Sequence, residues 1–99
     1  MTRLPPVHPG EVLKHDFMEP FGLSATALAK ATGVTPARIN EIVRGRRGIT
    51  AATALRLAKY FGTDAQSWMN LQTRYELALA ESAAGRALQT IRPREAAAP

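Results

Sequence analysis

An all-α fold is the expectation for this chain: a five-helix domain built around a helix-turn-helix. Three observations carry it. Residues 24–45, SATALAKATGVTPARINEIVRG, hold two short helical patterns on either side of a glycine corner. The helical segments carry their own punctuation, with Ser24, Thr35 and Thr50 as caps, Pro36 at a first helical position and Gly62 as a stop. Apolar residues recur at helical spacing in each segment.

Ninety-nine residues fit one domain with a modest core. Cysteine is absent, which excludes disulfides and thiolate metal sites and is compatible with a reducing cytosol. No apolar run approaches the roughly 18 residues of a membrane span. The opening MTRLPPVHPG lacks the apolar stretch of a secretory signal. A soluble cytoplasmic protein is therefore expected. The net charge is +5, but seven bases and one acid fall within residues 30–59, giving +6 there and −1 elsewhere. A basic footprint that coincides with the helix-turn-helix and its exit loop is the pattern of a phosphate-binding surface.

Taken in order, residues 1–8 form an extended arm with two consecutive prolines. His8-Pro9-Gly10-Glu11 reads as a helix start, with Glu11 favourable against the helix dipole. Val12, Leu13, Phe17 and Met18 give the first apolar stripe, which Pro20 ends. Phe21 and Leu23 are expected in the core. Ser24 caps the second helix, where Leu28, Ala29 and Ala31 supply small packing contacts. Gly33 takes the positive φ that the corner requires. Thr35 caps the third helix, with Pro36 placed where a missing N–H costs nothing.

Successive side chains on that third helix rotate by about 100°. Ile39, Ile42 and Val43 gather on one side, expected to face the core. Ala37, Asn40, Glu41 and Arg44 lie opposite, with Arg38 on the flank. Arg46 and Arg47 extend the basic surface past Gly45.

Thr50 caps a fourth helix over residues 51–61, with Ala54, Leu55, Ala58 and Phe61 as its expected core stripe and Arg56 and Lys59 outward. Thr63 and Gln66 have capping-box spacing. A fifth helix is expected to run to about residue 83. Trp68, Leu71, Tyr75, Ala78 and Leu79 fall on one of its faces, and Met69, Leu77, Ala80 and Ala84 broadly opposite. A helix apolar on two sides suggests a second partner, so a homodimer through Met69, Leu77 and Ala80 is expected, with loose packing of the C-terminal tail as the alternative. Residues 9–83 thus form the domain, and the alanine-rich residues 84–99 a flexible tail.

Catalytic chemistry finds no support. His8, Glu11 and His15 lack the H-E-x-x-H spacing of a metal site, and no metal, cofactor or small-molecule substrate is implied. There is no cysteine nucleophile, phosphate loop or Gly-x-Ser-x-Gly elbow.

The residues of HPGE, of RINEIVRGRRGIT, and of TALRLAKYFGT followed by W-x-N-L-Q resemble the HigA-type (VapI-like) antitoxins. These belong to the xenobiotic-response-element (XRE), or Cro/C1-type, helix-turn-helix superfamily, whose domain is lambda-repressor-like. The resemblance covers about residues 8–80. It implies a homodimer on palindromic double-stranded operator DNA and repression of its own operon. It also implies a partner toxin, a RelE-like (HigB-type) mRNA endonuclease neutralised by protein–protein binding. A stand-alone XRE-type transcriptional regulator with no toxin would carry the same fold and the same DNA contacts. The chain departs from the superfamily at Ala25, where many members carry a glutamine that contacts phosphate. That contact is therefore either missing or made by Ser24 or Thr26.

Within this frame, Thr35 contacts phosphate through its hydroxyl and the local N–H groups. Arg38 and Asn40 are the candidates for reading base edges, arginine pairing with guanine and asparagine with adenine, the alternative being that either one only positions the backbone. Ala37 touches a thymine methyl, and Arg44, Arg46 and Arg47 hold phosphates. Glu41 pairs with Arg38 or Arg44 to orient them, or accepts from cytosine. The toxin is placed against the acidic cluster Glu11, Asp16 and Glu19, although an acidic helix end exposed to solvent explains those residues equally well.

Overall fold

The computed structural model describes residues 5–94. Residues 1–4 of the expected arm and 95–99 of the expected tail lie outside the described residues. The described chain is helical and contains no strand.

The first helix begins as α1 (Pro9–Val12), widens to π geometry over Leu13–Met18 and tightens into a 3-10 turn over Glu19–Phe21. The widening has a visible cause. The apolar pairs Val12/Phe17 and Leu13/Met18 are spaced by five, which suits a π turn. Pro20 also lacks the N–H that would continue an α ladder. Leu13 and Met18 are buried, and Phe17 packs against the rings of Phe61 and Trp68 at 5.0 and 5.1 Å. Phe21, expected in the core, is 68% exposed. It sits at the surface turn that Gly22 closes, and Phe17 fills the aromatic site instead.

The helix-turn-helix follows as α2 (Ala25–Thr32) and α3 (Pro36–Val43). Ser24 and Thr35 cap them as expected, their hydroxyls accepting from the N–H of Ala27 at 3.0 Å and of Arg38 at 3.2 Å. Gly33 makes the corner at φ 79°. Leu28, Ala29, Val34, Ile39 and Ile42 are buried together and form the centre of the core.

Next comes α4 (Ala51–Phe61), capped by Thr50 and ended by Gly62. Its inward stripe is Ala54, Leu57, Ala58 and Phe61. Leu55 is 63% exposed, which corrects the expected stripe. An i, i+3, i+4, i+7 pattern from Ala54 selects Leu57, whereas Leu55 lies about 100° off that axis.

The last helix, α5 (Ala65–Gln89), starts at Asp64 without a side-chain cap. The expected capping box between Thr63 and Gln66 does not form. The Thr63 hydroxyl accepts from the Trp68 indole N–H at 2.9 Å, and Gln66 donates to Asn70 instead. Trp68 and Gln72 are the buried residues of α5, while Leu79, expected inward, is 45% exposed. The helix also runs past residue 83. One glycine at position 85 costs only about 1 kcal/mol relative to alanine, and the neighbouring alanines and leucine favour helix.

Candidate nucleic-acid interface

The interface starts from the way the core holds α3. Ile39 and Ile42 are fully buried, so the opposite side of this two-turn helix must face out, and Ala37, Arg38, Asn40 and Arg44 are all exposed. Glu41 is half-buried at the edge of that face. Three supports fix the angle of the helix.

The first comes from the N-terminal segment. His8 is buried, and its Nδ1 accepts from the Gly10 N–H at 2.8 Å, which leaves the proton of the neutral ring on Nε2. Its ring meets Tyr75 of α5 edge-on at 4.7 Å. Burial pushes the His8 pKa below its ordinary value, and the Glu11 charge opposes this only in part. Gly10 lies directly against the carbonyl of Ile42, so close that a Cβ there would overlap the oxygen. The start of the first helix is thus wedged onto the backbone of α3.

The second support ties α2 to α4. The Arg56 guanidinium donates to the Thr32 carbonyl at 2.9 Å, satisfying an orphan acceptor at the end of α2. The positive charge also suits that helix C-terminus. Arg56 is therefore more than the outward base expected from its spacing. With Thr35 and Arg38 it borders a cleft of about 270 Å³ between the corner and α4.

The third support is at the exit of α3. Gly45 turns at φ 75°, and its N–H and that of Arg46 donate to the carbonyls of Ile42 and Glu41 at 3.0 and 2.9 Å. Arg46 and Arg47 are exposed on the loop. Glu41 pairs with Arg47, Oε1 to Nε at 3.6 Å, and not with Arg38 or Arg44 as expected. Both side chains are about half exposed, so this pair orients groups more than it stabilises the fold. At the far end of the loop the buried Ile49 N–H donates to Gln72 Oε1 at 2.7 Å. Nothing in the spacing of Gln72 signalled this role. A polar residue in an otherwise apolar stripe was the available clue.

At the start of α2, Ser24 and Thr26 are exposed, while Ala25 is half-buried against the core. Position 25 therefore offers no polar reach outward. A hydroxyl that accepts a capping bond still has its own proton to donate, so Ser24 and Thr35 can each cap a helix and meet a phosphate. The expected outer face of α5 is only partly realised. Leu77 and Ala80 are exposed, whereas Met69 is partly buried and packs against the core.

A compact helical scaffold that holds a short polar helix outward, with a basic loop beside it, defines the helix-turn-helix class. The chain belongs to that family in its XRE-type form: a family model described as "Helix-turn-helix" matches residues 15–68. Among curated proteins it is 64% identical over 80 residues to virulence-associated protein I of Dichelobacter nodosus, covering 81% of this chain and 74% of that protein. It is 37% identical over 76 residues to antitoxin HigA-1 of Vibrio cholerae, covering 77% of this chain and 71% of the relative. A solved structure of Pseudomonas aeruginosa antitoxin HigA with the higBA promoter superposes with a TM-score of 0.86 at 48% identity, over 89% of this chain and 97% of that one.

Proposed function

We propose that this chain is a HigA-type antitoxin that binds operator DNA through α3 and represses its own operon. The observation that carries this reading is the division of α3. Its apolar side is fixed by Ile39 and Ile42, and its exposed side presents Arg38 and Asn40 next to the arginine loop. The likeness to an antitoxin solved with its promoter supports the same reading.

In this reading Thr35, with Ser24 or Thr26, contacts phosphate, and Arg38, Asn40 and Ala37 face base edges. Arg44, Arg46 and Arg47 neutralise phosphates. A homodimer joined along α5 through Leu77 and Ala80 addresses two half-sites. The partner is a RelE-like (HigB-type) mRNA endonuclease, neutralised by direct binding. A stand-alone regulator would share every DNA contact and differ only in lacking this partner.

The decisive experiment is an electrophoretic shift on the chain's own promoter, with and without the product of the neighbouring gene, paired with co-expression. Operator binding together with rescue of growth arrest is expected. Operator binding with no growth arrest by the neighbouring gene product for this chain to rescue would favour the stand-alone regulator. Failure to shift the promoter at moderate salt would overturn the DNA-binding reading.

A further inference from the structure

The geometry points to Gln72 of α5 as the positioning residue that holds the arginine loop ready for phosphate contact. The inference rests on the operator-binding reading above and adds a residue that makes no contact with DNA. Gln72 is 6% exposed and stands in the inward stripe of α5 between Trp68 and Tyr75. A leucine would fill such a position at least as well, so packing alone does not account for a polar head there. Its Oε1 accepts from the Ile49 N–H at 2.7 Å, and its Nε2 donates to Glu76 Oε2 at 2.7 Å. This is the only orientation of the amide that satisfies both partners, because a carboxylate offers no proton and a backbone N–H accepts none. Glu76 therefore fixes the amide so that its oxygen faces the loop.

The loop is shaped to that amide. A Cβ on Gly48 would come within 2.7 Å of Gln72 Nε2, so any larger residue there would have to push the amide aside. At its other end the loop is pinned to α3 by the Gly45 and Arg46 N–H bonds. Arg46 and Arg47 project from a segment closed at both ends, one by α3 and the other by α5. Fixing the backbone in advance lowers the ordering cost of holding a phosphate. Each phosphate that the loop ceases to neutralise registers in the salt dependence of binding.

The test is the salt dependence of binding to the promoter duplex, measured by fluorescence anisotropy on full-length protein, with helicity and thermal unfolding checked in parallel. In Gln72→Leu the plot of log K against log salt is expected to flatten by about 0.9 for each phosphate no longer neutralised, with affinity falling about fivefold per phosphate near 0.15 M salt. A variant that is merely destabilised would lose active protein and keep the slope of the remainder. Gln72→Glu keeps an oxygen toward Ile49 but sets it against the Glu76 carboxylate, and the same flattening is expected. Adding Glu76→Gln to it reverses the donor and acceptor of the second bond while keeping both bonds, so the double exchange is expected to restore slope and affinity. An unchanged slope in both single variants, or a double exchange that restores nothing, would overturn the inference even if Gln72→Leu fails to fold. Wild-type protein that does not bind the duplex at all would instead sink the operator reading and this inference with it.

Discussion

Arg38 and His8 show how differently two residues can serve one surface. Arg38 is exposed on the outer side of α3, while its backbone N–H is bound to the Thr35 hydroxyl. The cap holds the peptide and leaves the guanidinium free to meet a base. Arg38→Ala is expected to cost roughly 1–3 kcal/mol of operator affinity and to relax preference at one base pair. Uniform weakening on every sequence, with the salt slope reduced by about one, would make Arg38 a phosphate contact instead. His8 works from inside. Its folded pKa lies below the ordinary 6.5, so the unfolded chain binds the proton more readily. The contribution of neutral His8 is therefore fully present above that ordinary value and is lost as pH falls below it, toward and through the lower folded pKa. Thermal unfolding measured from pH 8 down to 5 is expected to show falling stability across this window. His8→Asn keeps a capping acceptor with no proton to gain there, and its profile is expected to be flatter. An equally steep profile in that variant would assign the pH dependence to other groups.

Among the elements, the contact between the first helix and α3 is the least tolerant of change. Gly10 abuts the Ile42 carbonyl, and that oxygen belongs to the helix backbone, so it cannot swing aside as a side chain can. Gly10→Ala is expected to destabilise the fold by about 3 kcal/mol or more, by forcing the two backbones apart. Chemical denaturation would measure it, and near-wild-type stability would show that the helices slide without cost. The elements also mark what the sequence made legible. Caps at Ser24, Thr35 and Thr50 and the corner at Gly33 were readable because each depends on residues within a turn of one another. The inward face of α3 was readable for the same reason. Phe21 and Leu79 were not, because burial depends on which helix covers a position, and none covers those two fully. Nor was the partner of Glu41, since the Gly45 turn decides which arginine comes near it. Gln72 bonds across 23 residues to Ile49, a separation that local spacing does not record.

At the scale of the whole molecule, α5 raises the question of what its outer half is for. Its 25 residues span roughly 38 Å, more than twice the length of α4. Beyond Tyr75 the face that bears Leu77 also bears Leu88, at 60 and 49% exposure. Two large apolar side chains exposed on one helix face make it the candidate surface for pairing. A second copy fits the proposed function, because two recognition helices set about 34 Å apart would enter successive major grooves on one side of the duplex. Leu77→Lys is then expected to yield a monomer by light scattering, since the charge would be buried against its symmetry mate. Operator affinity is expected to fall at least about a hundredfold, because the second half-site is no longer bound intramolecularly. Joining two Leu77→Lys chains by a flexible linker is expected to return much of that affinity without restoring the α5 contact, which separates loss of pairing from damage to α3. A Leu77→Lys chain that remains dimeric and binds its operator normally would place the pairing surface elsewhere.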